Sequence, residues 1–220
     1  MKNSILSLLL IFVSTITFGQ TAESIINQNL ENSGGIAKWK SLNSIILKGD
    51  VTLGLDQSFP MHIYHKRPYE KKVVFFVKGE EMLSEGYDGK NGWTYNDISG
   101  KNEKIPNYQP DSFDSDMLDY DKKGFEAQYV GIEEIDNNEC YKIQLTKNTN
   151  VITYCYSTKD YSLLWEETDK ETVYYFDYKT FGGLKFATRM IGHPKEGGEY
   201  VIRFSEIQIN PAISDRLFKF

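Results

Sequence analysis

Between residues 61 and 96 the chain reads in twos. Apolar and polar residues alternate over 61–67, 69–78, 81–87 and 92–96, with breaks at Pro68, Gly79 and Asp88-Gly89, where hairpin chemistry wants them. Alternation puts Met61, Ile63, His65 and Arg67 on one face of the first strand, because successive side chains of an extended backbone point to opposite sides. Pro68 biases Arg67 away from helical geometry, which carries the alternation through that residue. A guanidinium facing an apolar concavity needs carbonyl or carboxylate partners, or water, since burying it unpaired is costly.

On either side of this block the period changes. Thr21 can cap a helix over Ala22–Asn32, with Ala22, Ile25, Ile26 and Leu30 on one stripe. Ser33-Gly34-Gly35 stops it, Gly34 being a good left-handed cap, and a shorter helix over Ile36–Ser41 groups Ile36, Trp39 and Leu42. Residues 44–55 then alternate, Ile45, Leu47, Val51, Leu53 and Leu55 against Ser44, Lys48, Asp50 and Thr52, as a strand with one wet face does. The stretch 101–124 is irregular and acidic. In it Pro110 opens an expected helix carrying Phe113, Met117 and Tyr120 at helical spacing, with Leu118 beside them. From Phe125 onward the pattern predicts strands over 125–134, 139–146, 151–157, 162–169, 172–180, 184–191 and 199–209. That makes eleven or twelve strands, joined mainly by short turns. Antiparallel hairpins in series are the simplest topology, and a curved sheet or barrel hides their edges. No linker or repeat divides the chain, so one domain is expected over 20–220.

The 220 residues carry a net charge of −6, which leaves no basic patch for nucleic acid. Aromatic residues at 14% favour an all-β chain with much apolar surface to bury. Residues 1–19 read as a signal peptide: Lys2 is a basic start, 5–13 are apolar, and Thr17-Phe18-Gly19 lead to an expected cut before Gln20. The apolar run is short for a membrane span and no later segment offers one. With no cysteine at the cut, an exported and unanchored protein is expected. The two cysteines, Cys140 and Cys155, flank the turn at 147–150. If Lys147 faces Asn150, Cys155 falls opposite Lys142, on the same face as Cys140 but two residues away. A disulfide is then expected to need a bulge or a register shift. An oxidising compartment permits it, and both a bridge and two free thiols remain open.

Catalytic signatures are lacking. His62 and His65 fall on opposite faces of one strand and make poor joint metal ligands. No phosphate loop, dinucleotide fingerprint, nucleophile elbow or zinc-protease helix motif occurs. Glu166 and Glu167 are adjacent on a strand and point apart. The aspartates between 111 and 121 lack the spacing of a calcium loop and read as a solvated face. Methionine and aromatic residues would suit a pliable cavity lining, and equally a solid core.

His65-Lys66-Arg67-Pro68, followed by Tyr87-Asp88-Gly89-Lys90-Asn91-Gly92-Trp93-Thr94-Tyr95-Asn96, resembles the bacterial outer-membrane lipoprotein carrier and sorting proteins, the LolA-like group. The resemblance runs from the opening helix and Gly34-Gly35 step, through 177–184, to Asn210-Pro211 and the tail Asp215-Arg216-Leu217-Phe218. It implies a mainly β fold with a few helices: an unclosed, strongly curved antiparallel half-barrel with helices over its concave face. The family's cavity holds acyl chains, and Arg67 falls on its lock arginine, which bonds lid-helix carbonyls and holds the empty cavity shut. The candidate cavity and lid residues are Leu47, Val51, Met61, Ile63, Arg67, Phe75, Trp93, Phe113, Met117 and Leu118. What the resemblance implies is a periplasmic carrier of lipid or lipoprotein acyl chains, with no cofactor and no catalysis. An inner-membrane release complex and an outer-membrane acceptor would be its partners. The carriers have a further segment after the tail phenylalanine, whereas this sequence ends at Phe220, so docking to those partners is expected to differ. A sensor on the same fold and an exported enzyme with no recognisable site are the rival readings.

Overall fold

A computed structural model describes residues 20–54, 57–110, 113, 115–135 and 137–220. The expected signal peptide, Leu55, Asp111 and Asp114 lie outside them. Helix α1 (Ala22–Asn32) begins where capping chemistry puts it: the Thr21 hydroxyl accepts from the Ser24 N–H, and the Ser24 hydroxyl accepts from the Thr21 N–H. Its stripe of Ala22, Ile25, Ile26 and Leu30 is buried. The glycine step closes the helix through Gly34 and Gly35 N–H bonds to the Glu31 and Leu30 carbonyls, and α2 (Ile36–Ser41) follows.

Strands β1 (Ser44–Leu53), β2 (Gln57–Lys66), β3 (Glu70–Val77), β4 (Glu80–Tyr87), β5 (Gly92–Asn96) and β6 (Lys101–Ile105) make a first meander. A second runs through β7 (Glu126–Ile135), β8 (Asn138–Lys147), β9 (Asn150–Ser157), β10 (Leu163–Glu167), β11 (Glu171–Phe181), β12 (Leu184–Pro194) and β13 (Tyr200–Ile209). Pairing of β1 with β13 joins them into one 13-stranded antiparallel sheet, in the order β6-β5-β4-β3-β2-β1-β13-β12-β11-β10-β9-β8-β7. The sheet is not closed: β6 and β7 are its two edges. The segment 106–125 leads from one edge to the other and lays Met117 and Leu118 onto the inner surface.

Two apolar clusters fill that inner, concave side. One packs α1, Met117 and Leu118 against Ile143, Leu145, Tyr154 and Tyr156. The other joins Ile45, Val51, Met61, Phe204 and Ile207, with Phe113 over them. The convex side has its own covering. Trp165 and the cysteines form a small third cluster, and the tail from 211 to 220 crosses β3 to β5, burying Phe218 and setting the Phe220 ring against Gly86.

Several expectations need correction. β6 has no apolar alternation, four of its five residues being exposed, so a period-2 reading passes over it; pairing with β5 alone makes it a strand. Its lysines suit an edge that must resist further pairing. The mid-chain helix expected after Pro110 does not form over 116–124, which are turns. Asp119 there sits at φ 53°, outside helical geometry, and aspartates compete locally for backbone groups. β2 starts at Gln57, ahead of the expected 61, because its pairing with β1 runs on to Leu53. Leu53, expected on the apolar face, is exposed.

Cys140 and Cys155 are bridged, with Cα atoms 5.4 Å apart and no register shift between β8 and β9. Lys142 is opposite Cys155 as expected, so the bridge joins a diagonal pair. The right-handed twist of an antiparallel pair draws one diagonal together, which makes the expected bulge unnecessary.

Two stability outcomes follow. Gly34 sits at φ 130°, and a Cβ there would collide with the Gly183 carbonyl oxygen on the β11–β12 turn. Gly34→Ala is expected to cost about 1–3 kcal/mol in urea denaturation; an unmoved midpoint would mean the helical hairpin is not docked as described. Replacing both cysteines by alanine is expected to cost roughly 3 kcal/mol, the value for a loop of this length, by the same measurement.

Candidate functional site

The concave face is covered by two separately held pieces. α1 is tied to the β9–β10 turn, where the Asn29 side-chain amide donates to the Tyr161 carbonyl at 2.7 Å and that of Asn32 to the Asp160 carbonyl at 3.2 Å. The Lys185 N–H adds a 2.8 Å bond to the Ser33 carbonyl. In the same turn, burial works to raise the Asp160 carboxyl, but bonds from Ser162 and Lys185 outweigh it and bring the pKa down to about 2. The ionised carboxylate ties Ser162 and Lys185 into the turn.

α2 is held differently. β2 ends at Lys66, and Arg67 reaches inward, its Nε donating to the Leu42 carbonyl and its Nη2 to the Trp39 carbonyl at 3.4 Å. Both carbonyls lie at the C-terminal end of α2, where the helix dipole favours a cation, and the Trp39 oxygen also accepts from the Leu42 N–H. Phe113, on the segment linking the sheet edges, puts its ring centroid 4.8 Å from the guanidinium carbon and 5.9 Å from the His65 ring. One side chain thus gathers the β2 terminus, the second helix and the cross-over segment.

Beneath this cover lies an apolar cavity of ≈380 Å³, lined by Leu30, Trp39, Leu47, Ile63, Phe186 and Met190 among others. It adjoins a more polar hollow of ≈480 Å³, the two sharing Asn29, Ser115, Leu163 and Tyr175. Glu166, Asp116, Tyr154, Tyr156 and Thr168 line the polar part. Burial first, then the charges of Asp116 and Glu171, hold the Glu166 carboxyl above the usual carboxylate range, although a hydrogen bond with Tyr175 pulls the other way. Burial likewise drives the Tyr154, Tyr156 and Tyr178 phenols up, so they stay neutral. A further apolar hollow of ≈310 Å³ lies toward β4 and β5.

The candidate residues divide among these spaces. Leu47, Ile63 and Leu118 line the larger apolar cavity, and Val51 and Phe75 the smaller. Met61 and Met117 are buried in the two inner clusters and line none of these hollows. Trp93 lies across the sheet from them. It pairs with Gly86, whose β3 partner Lys72 has the opposite parity to Phe75. Its indole N–H donates to Asp88 at 2.8 Å and its ring faces Phe220 at 6.3 Å. An aromatic residue after a turn signals a packed strand, but not which face it joins.

Sequence reasoning missed Trp39, Phe186, Met190 and Glu166. The parity of β12 places Phe186 with Met190 and was there to be read. Glu166 and Glu167 do point apart as expected, Glu167 lying 3.9 Å from Lys195. That separation is what sends Glu166 inward. Among the described residues, no group of three or more histidine, cysteine, aspartate or glutamate side chains is arranged to hold a metal ion.

No family model matches the sequence, and no curated protein matches it either. Solved structures do. A LolA superfamily protein from Nitrosomonas europaea superposes with a TM-score of 0.60 at 14% identity, covering 92% of this chain and 99% of its own. A DUF1329 family protein from Desulfovibrio piger gives 0.60 at 12% identity, covering 90% and 97%. A domain assigned to outer membrane lipoprotein sorting, from Vibrio parahaemolyticus, gives 0.59 at 11% identity, covering 90% and 95%. Likeness at such low identity speaks for architecture alone. The chain has the LolA-like fold, an unclosed antiparallel half-barrel with helices over its concave face.

Proposed function

We propose that this protein is a periplasmic carrier that shields a lipid or lipoprotein acyl chain in its concave apolar cavity and moves it between membranes without catalysis. The observation that carries the reading is the Arg67 contact with the α2 carbonyls directly beside that cavity. Each buried methylene of an acyl chain is worth about 0.8 kcal/mol, so such a chain does not cross water uncovered. A carrier must therefore cover the chain, yet release it. A lid held by a few charged hydrogen bonds, each about 1.5–3 kcal/mol, can be exchanged against a hydrocarbon tail. The cavity volume lies within the roughly 300–1,000 Å³ of ligand pockets. Export rests on the sequence of residues 1–19, and the sorting role on likeness to the Vibrio parahaemolyticus lipoprotein-sorting domain.

Mass spectrometry of an organic extract of the purified mature protein is expected to find co-purifying lipid; a hydrolysed lipid product in its place would favour an enzyme. Arg67→Leu is expected to keep the circular dichroism spectrum of the wild type while leaving α2 unlatched. Ligand handed to acceptor vesicles should then be released roughly tenfold or more slowly, since the closed empty state loses charged hydrogen bonds. Wild-type transfer kinetics in that variant would remove Arg67 from the gate.

A further inference from the structure

The two apolar hollows of the concave face lie along the same pair of strands. Leu47 and Ile63 line the larger, of ≈380 Å³, and Val51 and Phe59 the smaller, of ≈310 Å³. β1 and β2 pair here without a shift: Leu47 faces Ile63, Gly49 faces Met61, and Val51 faces Phe59. Facing residues of an antiparallel pair share one side of the sheet, and so do residues two apart. The floors of the two hollows are therefore consecutive inward positions of one groove, separated by the single rung Gly49–Met61.

That rung is filled from one side only. Gly49 adds no side chain and has no room for one, since a Cβ there would run into the Arg203 carbonyl oxygen at the bulge between Lys48 and Gly49. The space over the rung falls to Met61, which is 2% exposed. Phe204, the β13 partner of Gly49, and Phe75, the β3 partner of Met61, flank it, and Phe113 packs against the same cluster. Protein interiors are close-packed, with few voids larger than a water molecule, so a hollow of this size on each side of one buried side chain is not ordinary core. The next inward position beyond Val51 is Leu53, which lines the smaller hollow and is 45% exposed. We propose that Met61 is the chain-length determinant of the groove: a hydrocarbon tail held in the larger hollow ends against Met61, which shuts it out of the smaller one. The inference rests on the carrier reading above and adds to it which tails are taken.

Straight-chain fatty acids from octanoate to octadecanoate, each below its micellar concentration, test it with the mature protein. Binding is followed by tryptophan fluorescence, as Trp39 lines the larger hollow. Affinity is expected to rise about fourfold per added methylene and to level off at the length that reaches Met61. Met61→Ala should move the levelling-off to longer chains, binding the longest probes more than tenfold tighter and the short ones as before. Leu53→Phe, which crowds the smaller hollow from its rim, should leave the limit in place when Met61 is present and pull it back in the Met61→Ala background. An unmoved limit in Met61→Ala, or equal tightening of short and long chains, overturns the stop and leaves the carrier reading standing. A limit shortened by Leu53→Phe with Met61 intact also overturns it, because the tail would already pass Met61; that arm decides the matter even if Met61→Ala folds poorly. Binding of no probe by the wild type overturns the carrier reading, and the stop with it.

Discussion

Everything in this molecule answers to one constraint: the sheet never closes. A barrel hides its inner face by pairing its last strand with its first, but here β6 and β7 remain apart as edges. The apolar inner face must then be covered by pieces that are not part of the sheet. Two helices and a long cross-over segment do this, and each is attached by a different kind of contact. α1 is fastened by backbone-directed bonds from its asparagines and buries its whole apolar stripe. α2 buries no residue fully and is held by polar contacts: Arg67 on its C-terminal carbonyls, Lys40 on Asp119 and the Trp39 indole on Ser33.

The inner surface is also graded along its length. Toward Leu47, Ile63 and Phe186 it is hydrocarbon, while toward Glu166 and the tyrosines it becomes polar. The convex face, by contrast, is closed for good, by a disulfide and Trp165 on one half and the C-terminal tail on the other.

The elements with strong periodicity were legible before any coordinates. α1 and its cap, the glycine step, α2 and nearly every strand fall within a few residues of their expected bounds, because each carries a complete local signal of period, cap or turn. The inward placement of Arg67 followed from the parity of 61, 63, 65 and 67. Failures came where the local signal was missing or misleading. β6 has only charged and polar residues, the aspartate-rich run mimics a helix, and Trp93 sits one residue away from the parity that would have put it inside.

Which residues share a strand face was determined by sequence alone, since alternation is a property of the extended backbone. Which of the two faces became the cavity was not, because both faces of many of these strands bear apolar side chains, and only the placement of α1, α2 and the tail assigns them. Whether Cys140 and Cys155 bridge was likewise beyond the reach of register counting, which places them as a diagonal pair, because the twist of the β8–β9 pair decides how close that diagonal comes. Sequence placed Glu166 and Glu167 on opposite faces without saying which of them faces the cavity. Tyr175 is near Glu166 through the pairing of β10 with β11, and Asp116 because the cross-over segment lies over the concave face.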